Sequence, residues 1–214
     1  MVHSLSRRGL MAVAALAVLA GFVDGFGYVY LGGYFVSFMS GNTTRVGVGV
    51  AATDLATAGF GMLLIVAFIA GVMGGTALAR PARRHTSTLV LSLVAVALAA
   101  GAVLAALGAT PAAAAALAVA MGAVNTTFSG GNEVSFGITY MTGALVKIGQ
   151  GIVNALRGGS RTAWLRYVVL WVSILAGAVI GAFAQRTIGE GALWLAAAWV
   201  AVVATALHVV AARR

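Results

Sequence analysis

FVSFMSGNTTRVGVGV at 35–50 and GITYMTGALVKIGQGI at 137–152 are one motif written twice, and their spacing decides how the chain is read. At an offset of 102 they share Met39/Met141, Gly41/Gly143, Gly47/Gly149 and Gly49/Gly151, and Ser37/Thr139, Phe38/Tyr140, Ser40/Thr142 and Arg45/Lys147 are conservative pairs. Two further stretches extend the likeness. GFVD (21–24) parallels GAVN (122–125), setting Asp24 against Asn125, and FIAGVMGGTALAR (68–80) aligns with ILAGAVIGAFAQR (174–186), keeping Gly71/Gly177, Gly75/Gly181 and Arg80/Arg186. The chain therefore divides into two repeats, 1–108 and 109–214. Repeats of this kind are how many membrane transporters are built.

The surroundings of the motif set the class. Of 214 residues, 62% are apolar and 8% charged, too little polar surface to cover a soluble globule. Apolar runs at about 10–31, 59–79, 88–108, 111–128, 164–185 and 191–212 each approach the roughly 20 residues an α-helix needs to cross hydrocarbon. No alternating short-strand pattern of a barrel is present. The expected fold is thus an all-α integral membrane protein, with about six transmembrane helices and two motif half-helices.

The net charge of +9 points to topology rather than to nucleic acid, because the basic residues cluster at the ends of apolar runs. If the two motifs do not span, Arg7/Arg8, Arg80/Arg83/Arg84, Arg157/Arg161/Arg166 and Arg213/Arg214 all fall on the cytoplasmic side. Eight crossings would put Arg80–Arg84 outside, so six are favoured, with both termini cytoplasmic in the inner (plasma) membrane. Three crossings per half is an odd number, so the second repeat is expected to be inverted. The basic, apolar N-terminal stretch also has the look of a leader. Its counterpart at 111–128 is internal, which favours a retained helix.

The motifs carry the candidate site. Ser40, Gly41, Asn42, Thr43, Thr142 and Gly143 read as helix starts with hydroxyl N-caps, leaving positive helix ends inside the membrane. Arg45 and Lys147 follow one turn later on the same face. Two such half-helices entering from opposite sides would bring both cations to one centre, where a small anionic or polar solute would bind. Asp24, an acid within an apolar run, needs a partner, and Arg45 is the expected one in a buried ion pair. Asn125 takes the equivalent place in the second half. Gly47, Gly49, Gly149 and Gly151 read as close-packing sites rather than ligand contacts, and the two Gly-x-x-x-Gly faces fit either internal packing or a homodimer. Asp54, Glu133 and Glu190 read as interfacial.

Several chemistries find no footing. There is no cysteine, no metal-ligand spacing around His85 or His208, and no nucleophile–base pair or nucleotide loop, so neither an enzyme nor a cofactor is expected. The partners expected are the lipid bilayer and a small solute. A non-transporting scaffold or accessory subunit is the alternative function.

GFVD (21–24), LGGYFVSFMSGNTTRVG (31–47) and the second-half YMTGALVKIG (140–149) together resemble the YoaK family of bacterial membrane proteins, a domain of unknown function, over nearly the whole chain. That resemblance implies a polytopic inner-membrane protein and no particular substrate. The chain has Asn125-Thr126 where that family shows Asn-Ala, and Lys147 where it often has an acid.

Overall fold

The fold follows from where apolar helices can pack backbone to backbone and where polar side chains stop them. In the computed structural model the described residues are 7–79, 86–128, 139 and 141–212. Arg80, Arg83, Arg84, His85, Glu133, Ile138, Tyr140, Arg213, Arg214 and the Arg8 side chain lie outside them. The helices are α1 (Arg7–Tyr30), α2 (Met39–Ala51), α3 (Leu55–Ala79), α4 (Thr86–Ala106), α5 (Thr110–Val124), α6 (Met141–Leu156), α7 (Leu165–Ile188) and α8 (Ala192–Ala212). No strand occurs among the described residues.

Four stretches are long and apolar enough to cross a membrane: Gly9–Tyr30, Leu55–Ala79, Thr86–Ala106, and Leu165–Val209, which holds α7, α8 and the tight turn between them. The expected run 111–128 is helical for only 15 residues, Thr110–Val124. Its end has a local cause. Asn125 Nδ2 donates to the Met121 carbonyl (2.8 Å), and the Thr126 and Thr127 hydroxyls donate to Ala123 and Val124, taking carbonyls that a further turn would need.

Packing is organised by glycine. α1 lies mainly on α7 and α3 mainly on α5, so the first helix of each half packs on the third helix of the other. A Cβ on Gly21 or Gly25 would run into the backbone of Ile174 or Ala178, and one on Gly177 or Gly181 into Val18 or Phe22. At the other crossing Gly71 meets Val119, Gly75 meets Ala123 and Thr126, and Gly122 meets Phe68. The contacts recur at the repeat offsets. Val18 and Phe22 meet Gly177 and Gly181 in the same order, so α1 and α7 run the same way, as do α3 and α5. Both Gly-x-x-x-Gly faces are occupied inside the chain, the internal packing that is one of the two readings of these glycines.

Between these pairs, α4 and α8 pack on one another and on α5 and α1. Leu91, Leu98, Leu117, Met121 and Leu193 form the closed centre, and Trp199 Nε1 donates to the Ala15 carbonyl at 3.1 Å. The halves meet in the α4–α5 turn, and Tyr30 and Thr110 share a hydroxyl hydrogen bond of 3.3 Å that sets the end of α1 beside the start of α5.

The small glycines of the motifs divide evenly. Gly49 packs on Ala58 and Asp54, and Gly151 on Trp164, whereas nothing lies near Gly47 or Gly149. Close packing is thus seen at Gly49 and Gly151 and not at Gly47 or Gly149.

Asp54 starts α3. Its carboxylate accepts the Thr57 N–H at 3.0 Å, satisfying a donor the first turn leaves open. The Thr57 hydroxyl and N–H hold this carboxyl below the usual carboxylate range. A depressed carboxylate contributes stability above its unfolded-state value and loses it as pH falls through the lower folded-state value. Thermal melts are expected to show a modest acid-side loss in the parent protein that Asp54→Asn lacks, while the two converge at the acid end.

Candidate functional site

The chain leaves α1 by folding back along it. Gly32 (φ 64°) and Gly33 (φ 96°) provide the left-handed backbone for the reversal, which residues with a Cβ take up only at a cost. The returning segment then comes level with Asp24, two turns before the end of α1. Asp24 Oδ1 accepts the N–H groups of Val36 (2.9 Å) and Ser37 (2.8 Å), and Oδ2 accepts the Ser37 hydroxyl. Inside a bilayer these N–H groups have no water to turn to, so the carboxylate supplies what a helix or sheet would otherwise provide.

Asn42, fully buried, closes the same segment from the α2 side: its Oδ1 accepts the Phe35 N–H (3.1 Å) and its Nδ2 donates to the Phe35 carbonyl (2.6 Å). The second repeat uses the same device. Asn125 Oδ1 accepts from the Thr139 N–H (3.2 Å) and hydroxyl (3.3 Å), so Asn125 and Thr139 stand where Asp24 and Ser37 stand in the first half.

Two expectations are corrected here. Arg45 does not pair with Asp24; its Nη1 donates to the Gly33 carbonyl (2.7 Å) and its guanidinium lies 4.1 Å from the centre of the Tyr34 ring, a cation–π contact. The reason is reach: Asp24 is taken by the returning backbone, and Arg45, within α2, faces the bend at Gly33. Nor is α2 hydroxyl-capped. α2 begins at Met39 with Phe38 before it and no side-chain cap, while Thr43 and Thr44 donate back to the Met39 and Ser40 carbonyls. Met39, not Ser40, is the first residue of α2, so Ser40 and Gly41 already lie inside the helix. α6 likewise begins at Met141, with Thr142 and Gly143 inside it.

A cavity of about 630 Å³ opens where α1 crosses α7. Gly21, Asp24, Gly25 and Tyr28 line it from one face of α1, Ile174, Ala178 and Ala182 from α7, and Phe35, Ser37, Phe38, Thr139 and Met141 from the two motifs. Its volume is within the range of small-molecule sites. Of the ten residues expected to form a site, Asp24 alone lines it. Ser40, Gly41, Asn42, Thr43, Arg45, Asn125, Thr142, Gly143 and Lys147 do not, and Lys147 is exposed, donating to Gln150 Oε1 at 3.3 Å. Sequence reasoning missed Tyr28, Phe35 and Phe38. A signal existed for Tyr28, which is one helical turn beyond Asp24 and so on its face.

Apolar helices joined at glycine crossings, with a returning segment hung on a side chain of the preceding helix in each half, define a polytopic helical transmembrane protein. The chain belongs to a family described as proteins of unknown function, DUF1275, whose model matches residues 12–206. It is 36% identical over 187 residues to a UPF0700 transmembrane protein of Rhizobium meliloti (strain 1021), a match covering 87% of this chain and 80% of that one. No solved structure matches the chain.

Proposed function

We propose that this protein is an inner-membrane transporter or channel for a small polar solute, with its site at the interface of two inverted repeats. The observation that carries the reading is the cavity itself, because both halves build it: α1 and the 35–38 segment from the first, α7, Thr139 and Met141 from the second. Sites at a repeat interface beside discontinuous helices are where such proteins hold their cargo.

Inversion is supported by the contact of Tyr30 with Thr110, which brings the end of α1 to the start of its repeat partner α5. The same contact suits six crossings, α1, α3, α4, α5, α7 and α8, with α2 and α6 not spanning, because eight would put the end of α1 and the start of α5 on opposite sides. Arginine placement then favours cytoplasmic termini. A guest without negative charge suits the lining better than an anion, since its charged group is a carboxylate and neither Arg45 nor Lys147 reaches it. The scaffold alternative keeps one supporting observation: Arg45 is closed in by Tyr34 and Gly33, as a purely structural cation would be.

Ala182→Trp puts a large ring into the cavity from a half-buried position on α7. Flux of small polar solutes into liposomes should be present in the parent protein and fall at least about tenfold in this variant at equal folded amount, as expected when a site of this size is filled. A folded parent protein that moves no solute would make the scaffold the better reading.

A further inference from the structure

Asp24 is a carboxylate in a transmembrane helix with no cation bonded to it among the described residues. The Val36 and Ser37 N–H groups and the Ser37 hydroxyl, which donate to it, are neutral. A charge at such a depth is costly unless it is paired, and Asp24 lines a cavity rather than a closed core.

The walls above it are aromatic. Tyr28, about half exposed at 49%, lies one turn from Asp24, with Phe35 at 5.1 Å from it between ring centres and Phe38 at 5.1 Å from Phe35, edge to face. All three rings line the same cavity as the carboxylate, alongside the small residues Gly21, Gly25 and Ala178. Ring faces attract cations through their quadrupole, most strongly where water is excluded. The apolar remainder of the lining suits a hydrocarbon body and offers an inorganic cation little to coordinate.

We propose that the α1–α7 cavity binds an organic cation, a substituted ammonium carrying apolar groups, with Asp24 as its counter-ion and Tyr28, Phe35 and Phe38 as its aromatic wall. This names the solute class of the site assigned above and rests on that site's being a binding cavity. Whether the cation is moved across the membrane is a separate property.

The test is calorimetric titration of the whole protein in lipid nanodiscs with choline and benzyltrimethylammonium, against benzoate and the tert-butyl alcohol analogue of choline, in which carbon replaces the ammonium nitrogen. The ammonium ions should bind at least about tenfold tighter than the neutral analogue, and Tyr28→Leu or Phe38→Leu should weaken them by about 2- to 30-fold. Asp24→Asn, which keeps an acceptor for the returning backbone as Asn125 does, should weaken them at least about tenfold while the protein stays folded. Equal binding of the neutral analogue, preference for benzoate, or ammonium binding unchanged in Asp24→Asn would each overturn the proposal. Ammonium binding without flux would sustain it and reject transport; flux of other solutes without ammonium binding would do the reverse.

Discussion

Gly21→Val and Gly71→Val are each expected to leave no monodisperse protein after detergent extraction, although each adds only a small apolar side chain to an apolar helix. At both positions the new Cβ meets the backbone carbonyl of a helix from the other repeat, Ile174 or Val119. A side chain there has no rotamer to escape into, so the helices must separate along the whole crossing. Adding atoms to a well-packed core costs about 1–3 kcal/mol, and a backbone obstacle places these changes at the upper end or beyond it. α1–α7 and α3–α5 are the most extensive helix contacts among the described residues, so losing either takes away a large part of what joins the halves. Gly47→Ala and Gly149→Ala serve as controls. Nothing lies near either position, and replacing a helical glycine with alanine should raise stability by about 0.5–1 kcal/mol, read as a higher melting temperature. Normal extraction of Gly21→Val and Gly71→Val would show that the crossings are looser than the structure has them.

Asp24→Ala should destabilise strongly, and Asp24→Asn mildly. Alanine strands the N–H groups of Val36 and Ser37 where water is absent, at about 1–3 kcal/mol for each unsatisfied donor. Asparagine still offers a carbonyl oxygen, and the second repeat shows that this suffices, since Asn125 Oδ1 holds Thr139 in the same manner. The melting temperature of Asp24→Ala should therefore fall well below that of Asp24→Asn. Adding Arg45→Gln should make each variant worse by the same amount, because Arg45 is tied to Gly33 and Tyr34 rather than to Asp24. An Arg45 change that rescued Asp24→Asn would restore the ion pair expected from the sequence and contradict this geometry.

Asp24 also shows how far residues alone can be read. That it needed a partner was legible, because a lone carboxylate in an apolar run is too costly to stand unpaired. Which partner was not, since backbone N–H groups are the same in every residue and carry no mark in a sequence. The motif cation Arg45 is the partner the sequence suggests, whereas the chain's own reversal at Gly32 and Gly33 delivers Val36 and Ser37. The pairing of Asp24 with Asn125 and of Ser37 with Thr139 held the clue: both members of the latch are kept in both repeats.

By itself the sequence determined the membrane class and the helical character, because these follow from apolar content and run length, which are properties of the chain read along its length. It also marked Gly71, Gly75, Gly177 and Gly181 as contact points without saying for what. Tertiary structure decided that these glycines pack against helices of the same chain, that Arg45 braces a bend, and that Tyr28, Phe35 and Phe38 gather around Asp24. The physical reason is common to all three. A glycine stripe, a cation or an aromatic ring is compatible with many neighbours, and the neighbour is chosen only when helices far apart in sequence, such as α1 and α7, come within backbone contact.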